Sequence, residues 1–365
     1  MKIRILILLF FTGLSSYGQN NSLQTQSIIN DYKRKLIEYM QEDTVASISY
    51  AILIDGKVVL SEALGYADYH DKIKADTNTI YRIGSITKPI TAFLMMQMVE
   101  KGYFKLDDKI EDYLPEVKNL IGYSDSTKIT FKQLARHRSG LPFNPALEGA
   151  ASGTIEQWED KVIASLPKTS FLFKPDEKFS YSNFGFGILG LAIQRAVGKP
   201  FMELVQENIF SPLKMKSTFF ILPDDKRNRL AVGTMKKGYE QYKDVPIIEQ
   251  KGRGYKVPVG GIYSTPNDYA KFMQALMGYS EVKILNDENC KLIKTIGIGV
   301  RVADFQNDFV LIGVEGSNVG YTTAFAFDRK KNNGVILMRN YFPEYGYQEF
   351  TKDFLELLSM VTEKK

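Results

Sequence analysis

The spacing of apolar positions changes along this chain. Ser47 to Leu53 and Lys57 to Leu64 are apolar, strand-length runs, and Ile54-Asp55-Gly56 between them is a hairpin signal. The middle turns helical. An almost unbroken apolar run from Pro89 to Val99 predicts a helix reaching about Gly102, and helical spacing continues over Thr130–His137, Ile155–Ser165, Gly185–Val197 and Phe201–Ile209. Strand patterning returns over Val300–Val314, Thr322–Phe327 and Gly334–Arg339, and Tyr347–Val361 closes as an amphipathic helix. Strands at both ends with helices between them predict an α+β fold. One antiparallel sheet would be built from both termini, flanked by helices, with a mainly helical subdomain inserted. This places one domain over residues 27–362, its α/β part about 27–84 and 285–362 and its helical part about 85–284, without internal repeat or linker.

Ser85-Ile86-Thr87-Lys88 opens the most apolar helix of the chain. A serine and a lysine three positions apart share a helical face, so the amine can sit beside the hydroxyl and activate it without histidine. Pro89 falls in the first turn, where its missing N–H costs little. Burial disfavours a charged amine, which would lower the pKa of Lys88 and make it a base near neutral pH. The same spacing recurs at Ser165/Lys168, Ser211/Lys214 and Ser280/Lys283. None of those serines heads a long buried helix. The competing reading of Ser85 is a helix N-cap followed by a surface lysine.

Composition removes several alternatives. The first residues, basic Lys2 and Arg4, then apolar Ile5 to Phe11, then Ser16-Tyr17-Gly18, read as a secretory signal peptide over residues 1–18 and predict a periplasmic or secreted protein. No stretch is long enough to span a bilayer. Losing residues 1–18 lowers the net charge from +5 to +3 with no basic block, so nucleic acid is not an expected partner. The lone Cys290 excludes an internal disulfide, and it lies in a polar, helix-like stretch without a nearby histidine. Only His70 and His137 are present, which rules out a histidine-rich metal site; no metal or cofactor is expected. His70 sits in a polar turn, and His137 is read as fixing a loop by hydrogen bonds.

Tyr181-Ser182-Asn183 is the single Tyr-x-Asn among 21 tyrosines, in a turn just before the Gly185–Val197 helix. Such a turn can aim a phenol and an amide into a cleft, the phenol to pass a proton and the amide to bind a carbonyl. The bland alternative is a packed tyrosine beside a helix-capping Asn183.

Several longer segments occur together: Tyr81-Arg-Ile-Gly-Ser-Ile-Thr-Lys-Pro89, Gly102 to Ile110, His137-Arg-Ser-Gly-Leu-Pro142, Tyr181-Ser-Asn183, Pro212-Leu-Lys-Met215 and Gly260-Gly-Ile-Tyr-Ser-Thr-Pro266. In these, from about Ser47 to Arg339, the chain resembles the serine β-lactamase-related family of class C β-lactamases, D-alanyl-D-alanine peptidases and related esterases. The resemblance implies a β-lactamase/penicillin-binding-like fold and a serine hydrolase acting on an ester or amide. It makes Ser85 the acylated nucleophile, Lys88 its base and Tyr181 the proton relay. Asn183 would orient a small-molecule or peptide substrate, and the backbone N–H groups of Ser85 and Ser317 would form the oxyanion hole. Where the family usually has Lys or His, a variable residue and Gly, the chain has Val314-Glu315-Gly316. Gly316 keeps backbone access, while Val314 supplies no charge and shifts the expected substrate toward uncharged esters and amides; Arg253 and Arg339 are the candidates for a replacement cation. Strand alternation turns Glu315 away from the site. Asp176 stands where the family commonly has glycine. A second reading, a weak or inactive relative binding a peptide or cell-wall-like ligand in the same cleft, rests on Val314.

Overall fold

The computed structural model describes residues 25–42, 45–235, 240–242, 253–304, 309–342 and 347–362. The signal-peptide expectation for residues 1–18 lies outside the described residues. Helix α1 covers residues 25–42. Strands β1 (Ser47–Ile54) and β2 (Lys57–Asp68) follow. Between these two strands Asp55 and Gly56 are both left-handed, at φ 49° and 72°, the backbone that a two-residue hairpin turn requires. A Cβ at Gly56 would stand 2.3 Å from the Tyr279 ring, so glycine is required for space as well.

Strand β3 (Ile73–Lys74), β4 (Arg301–Asp304), β5 (Val310–Asn318), β6 (Tyr321–Asp328) and β7 (Gly334–Arg339) complete a seven-stranded sheet of order β3-β2-β1-β7-β6-β5-β4. Every neighbouring pair is antiparallel. The sheet therefore joins both ends of the chain, as the pattern predicted. One strand expectation is corrected: Val300–Val314 is not a single strand but parts of β4 and β5, paired Arg301↔Gly313 to Asp304↔Val310. Gln306-Asn307-Asp308 inside the run is polar, a composition that disfavours one continuous strand.

The two sheet faces bury different cores. Ile28, Tyr32, Leu36 and Tyr39 of α1 and Phe350, Phe354, Leu357 and Leu358 of the closing helix (Tyr347–Thr362) pack on one face with Ile48, Tyr50, Leu311 and Leu337. The other face, with Leu53, Ile312, Phe325 and Met338, meets helix α2 (Thr87–Glu100) and the remaining helices. Twelve of the fourteen α2 residues are buried, so this helix is surrounded rather than amphipathic.

Among the helices that follow, α3 is Phe131–Ala135, opened by a capping box between Thr130 and Gln133. Helix α4 is Trp158–Ser165, and α5, Asn183–Val197, is closed by left-handed Gly198. Helix α6 is Phe201–Val205, shorter than expected because a π turn takes over at Gln206–Phe210. Helix α7 (Pro266–Met277), α8 (Asp287–Ile296) and α9, the closing helix, complete the set. Short pairs, Tyr81–Arg82 with Tyr263–Ser264 and Tyr341–Phe342 with Gly233–Met235, bind the helical middle to the sheet.

Candidate active site

Ser85 lies on a single 3-10 turn, Gly84–Ile86, that leads into α2, and Lys88 sits in the first turn of that helix. The N-cap of α2 is Ile86 and no side chain caps it, so the Ser85 hydroxyl is not used as a cap. Lys88 Nζ donates to Ser85 Oγ at 2.9 Å and to the Val259 carbonyl at 3.3 Å. The lysine is 1% exposed, and no carboxylate among the described residues pairs with it. Desolvation, reinforced by the Lys256 charge, holds its pKa well below the ordinary lysine value. A buried ammonium without a counter-ion would cost several kcal/mol, about as much as a domain can lose. The amine therefore stands neutral, with a lone pair available to the serine proton.

Backbone contact fixes the serine turn against the sheet. Gly84 has φ +54°, and a Cβ there would stand 2.7 Å from the Ser317 N and O atoms. A Cβ on Gly316 would meet the Ile83 carbonyl oxygen at 2.3 Å and the Ser85 amide nitrogen at 2.9 Å. Thr323, opposite Gly316 in the β5–β6 register, donates its hydroxyl to the same Ile83 carbonyl at 2.8 Å. These contacts bring the Ser85 and Ser317 backbones together. Gly316→Ala is expected to push β5 off the turn, lowering the melting temperature and slowing acylation by roughly tenfold or more; a kinetically normal variant would show that the contact is slack.

Tyr181 is the second arm. The Ser85 side chain is within hydrogen-bonding reach of its phenol, and Lys88 Nζ lies 4.8 Å from its ring centroid. Burial pushes the phenol up to about 12, opposed by the Ser85 hydrogen bond and the Arg301 charge, so Tyr181 holds its proton at neutral pH. The ring stacks on His137, centroids 4.3 Å apart and 28° between planes. His137 Nδ1 accepts the Ser182 N–H at 3.1 Å, and the His137 carbonyl accepts the Ser180 N–H at 2.9 Å. The loop-fixing role read for His137 is what the structure places there, at a left-handed φ of 56°.

Burial, aided by Lys88, lowers the His137 imidazole to about 3. A buried neutral histidine binds no proton where its unfolded counterpart does. Stability is therefore complete above about 6.5 and is lost as pH falls toward about 3. Denaturant titrations across that window are expected to show this slope, flattened in His137→Gln; an unchanged slope would assign it to other groups.

Asn183 begins α5 but does not line the cleft. Its Nδ2 donates to Asn144 Oδ1 at 3.2 Å, and its Oδ1 is buried without a partner among the described residues. The helix cap is Ser182, whose hydroxyl accepts the Gly185 N–H at 2.9 Å. Val314 faces the α2 side of the sheet, where it packs against the larger core. Glu315 alternates to the opposite face and hydrogen-bonds Thr351 of α9, as strand geometry predicts. Asp176 has φ 65°, the left-handed backbone that suits the family's glycine, and its carboxylate accepts the Gln133 amide.

The two candidate replacement cations are elsewhere. Arg253 is buried, donating to the Phe220 carbonyl and lying over the Tyr263 ring. Arg339 is buried over the Phe350 ring and bonded to Thr322. Neither lines the cleft. Sequence reasoning missed Val259, whose carbonyl holds Lys88 from the short helix Val257–Gly260, and Arg301. The Gly260-Gly261 run that follows Val259 was the available signal for the first; nothing in the local pattern marked the second.

Ser85, Lys88, His137, Tyr181, Val314 and Ser317 thus open onto one cleft of about 830 Å³. The family model described as Beta-lactamase matches residues 33–358. The chain belongs to the beta-lactamase family. Among its relatives, Beta-lactamase-like protein 4 of Dictyostelium discoideum is 31% identical over 274 residues, 71% of this chain and 47% of that protein. Protein flp of Staphylococcus aureus strain MW2 is 26% identical over 341 residues, 87% of this chain and 65% of that protein. This family member thus spans between about half and two thirds of these two relatives' length. In solved structures the fold recurs in an octameric penicillin-binding protein homologue from Pyrococcus abyssi, with TM-score 0.74, 24% identity and coverage of 92% of this chain and 78% of that one. It recurs in a beta-lactamase/D-alanine carboxypeptidase from Yersinia pestis, with TM-score 0.76, 22% identity and coverage of 94% and 99%. Family membership supports a serine hydrolase-like function.

Proposed function

We propose that this family member is an exported hydrolase that cleaves an ester or amide through an acyl-enzyme on Ser85. The observation that carries this reading is the 2.9 Å hydrogen bond from a buried Lys88 amine, without a carboxylate partner among the described residues, to the Ser85 hydroxyl. Burial moves the two titratable neighbours of the serine in opposite directions, and both become neutral. Lys88 then accepts the Ser85 proton as Oγ attacks the acyl carbon. Tyr181, still a phenol, passes a proton toward the leaving group while Lys88 returns to its neutral form. The backbone N–H groups of Ser85 and Ser317, held side by side by Gly84 and Gly316, are suited to stabilise the oxyanion. Water then releases the acyl group by the same proton path in reverse.

An inactive binding relative would have no need of a desolvated amine bonded to a serine, which weighs against the second reading. Intact-mass spectrometry after treatment with a fluorophosphonate, alongside hydrolysis of an activated ester, tests the proposal. One phosphonyl adduct per chain together with turnover supports it. An unmodified chain that turns nothing over would overthrow it in favour of ligand binding alone.

A further inference from the structure

His137 has a second ring nitrogen that the loop does not use. Its Nδ1 accepts the Ser182 N–H at 3.1 Å, and an imidazole nitrogen that accepts carries no proton. Burial lowers the imidazole to about 3, so at neutral pH its single ring proton sits on Nε2. No described residue accepts from Nε2, and the atom is not shut off from solvent. The ring is partly exposed and lines the cleft together with Ser85, Lys88 and Tyr181. Nε2–H is therefore a donor open to the cleft.

Packing leaves this donor little freedom. The ring is stacked on Tyr181, with Phe186 4.9 Å away at 40° and Phe179 edge-on at 5.8 Å. Its sequence neighbours are engaged elsewhere: Arg136 Nε donates to the Ile296 carbonyl at 2.7 Å, and Arg138 Nη1 approaches the Asp176 carbonyl at 3.4 Å. The titratable groups that face the ring are Lys88 and Tyr181, and burial keeps both neutral. An uncharged donor thus stands beside the phenol that hands a proton to the leaving atom in the proposed reaction. The 4.3 Å between the two ring centroids is about the reach of two to three bonds along a leaving group.

Resting on the proposed acyl-enzyme activity, we infer that His137 Nε2–H is a specificity-determining donor that selects esters or amides whose leaving group carries an uncharged acceptor oxygen, a carbonyl or an ether, close to the departing atom. This gives His137 a contact with substrate in addition to its hold on the Tyr181 loop. A substrate that lacks the acceptor would strip water from Nε2–H and return nothing, which is how a placed donor discriminates.

The test compares kcat/KM for an ortho-methoxyphenyl ester with that for the ortho-ethylphenyl ester of the same acid, two leaving phenols of similar acidity in which an ether oxygen replaces one methylene. The wild type is expected to favour the ether by about threefold to tenfold, the scale of one neutral hydrogen bond, with the ratio unmoved by added salt. His137→Asn keeps an acceptor near the Nδ1 position for the Ser182 N–H and suits the left-handed backbone at φ 56°, but it places nothing at Nε2. It is expected to bring the ratio close to one. A wild-type ratio near one overturns the inference, as does a preference that persists in His137→Asn or that salt abolishes, since the rim arginines would then supply the contact. Equal loss on both esters in the variant also overturns it, because a role confined to holding Tyr181 leaves the ratio unchanged.

Nitrogen NMR of the histidine-labelled wild type needs no variant at position 137. The chain has two histidines, so His70→Gln assigns the signals, and His137 is expected to show a protonated Nε2 and a bare Nδ1 at neutral pH. The opposite tautomer removes the donor and with it the inference. A chain whose Ser85 takes up phosphonate but which cleaves neither aryl ester overturns the inference alone. Failure of the underlying hydrolase reading looks different: neither ester is cleaved and Ser85 takes up no phosphonate.

Discussion

Replacing Ser85 by alanine is expected to abolish the single phosphonyl adduct that a fluorophosphonate places on the wild-type chain, and to lower ester hydrolysis by roughly a thousandfold or more. The expectation is specific because the other serines with a lysine three residues on are differently engaged. Ser165 is fully buried and its hydroxyl donates to the Lys161 carbonyl. Ser211 accepts from the Gln206 amide, and Ser280 donates to the Val282 carbonyl at an exposed turn. Only the Lys88 amine is bonded to its serine. Cys290, the one thiol, is buried with its pKa raised to about 11, so it is a poor competing nucleophile. Peptide mapping of the adduct decides the matter: label retained in Ser85→Ala would remove the serine from the mechanism.

Lys88→Met and Tyr181→Phe are each expected to slow acylation by about a hundredfold or more, with the double variant little worse than the worse single one. In the proposed mechanism the two groups act on one proton, so removing either would break the same path. Lys88→Arg should be no better than Lys88→Met, because a guanidinium keeps its charge and cannot take the serine proton. Rate against pH supplies an independent readout. Only the neutral amine is a base, so activity should rise with pH through a Lys88 titration set below the ordinary lysine value by desolvation. Independent, multiplicative losses in single-turnover kinetics would show that one of the two side chains merely packs.

Local signals carried far in this chain. The Ser85–Lys88 contact needs only residues three apart at the mouth of an apolar run. Gly56, Gly198 and the Thr130–Gln133 capping box follow from short-range backbone chemistry that any reader of the sequence can apply. Boundaries were blurrier. The Phe201 helix ended early in a π turn, and Val300–Val314 read as one strand because β-branched and apolar residues, Val300 and Val302 early in the run and Val310-Leu311-Ile312 late in it, stand on both sides of its polar middle. Helix α7, with Thr265 accepting the Asp268 N–H and Pro266 in its first turn, carried a legible start signal that the strand-and-helix reading passed over.

The sequence by itself determined the sheet drawn from both termini, the buried helix that follows Ser85 and the pairing of that serine with Lys88. Those depend on residue type and on spacing within one or two turns, where geometry is nearly fixed. Tertiary structure decided what spacing cannot reach. It brought the Val259 carbonyl to Lys88 across 171 positions. It closed Gly316 against Ser85 and left Asn183 Oδ1 buried without a partner among the described residues. It also decided which arginines line the cleft. Arg253 and Arg339 are turned into packed, desolvated surroundings, while the antiparallel register of β4 on β5 delivers Arg301 to the position beside Val314. Whether a cation lines the cleft depends on the strand edge on which it emerges, and that is settled only when distant strands pair.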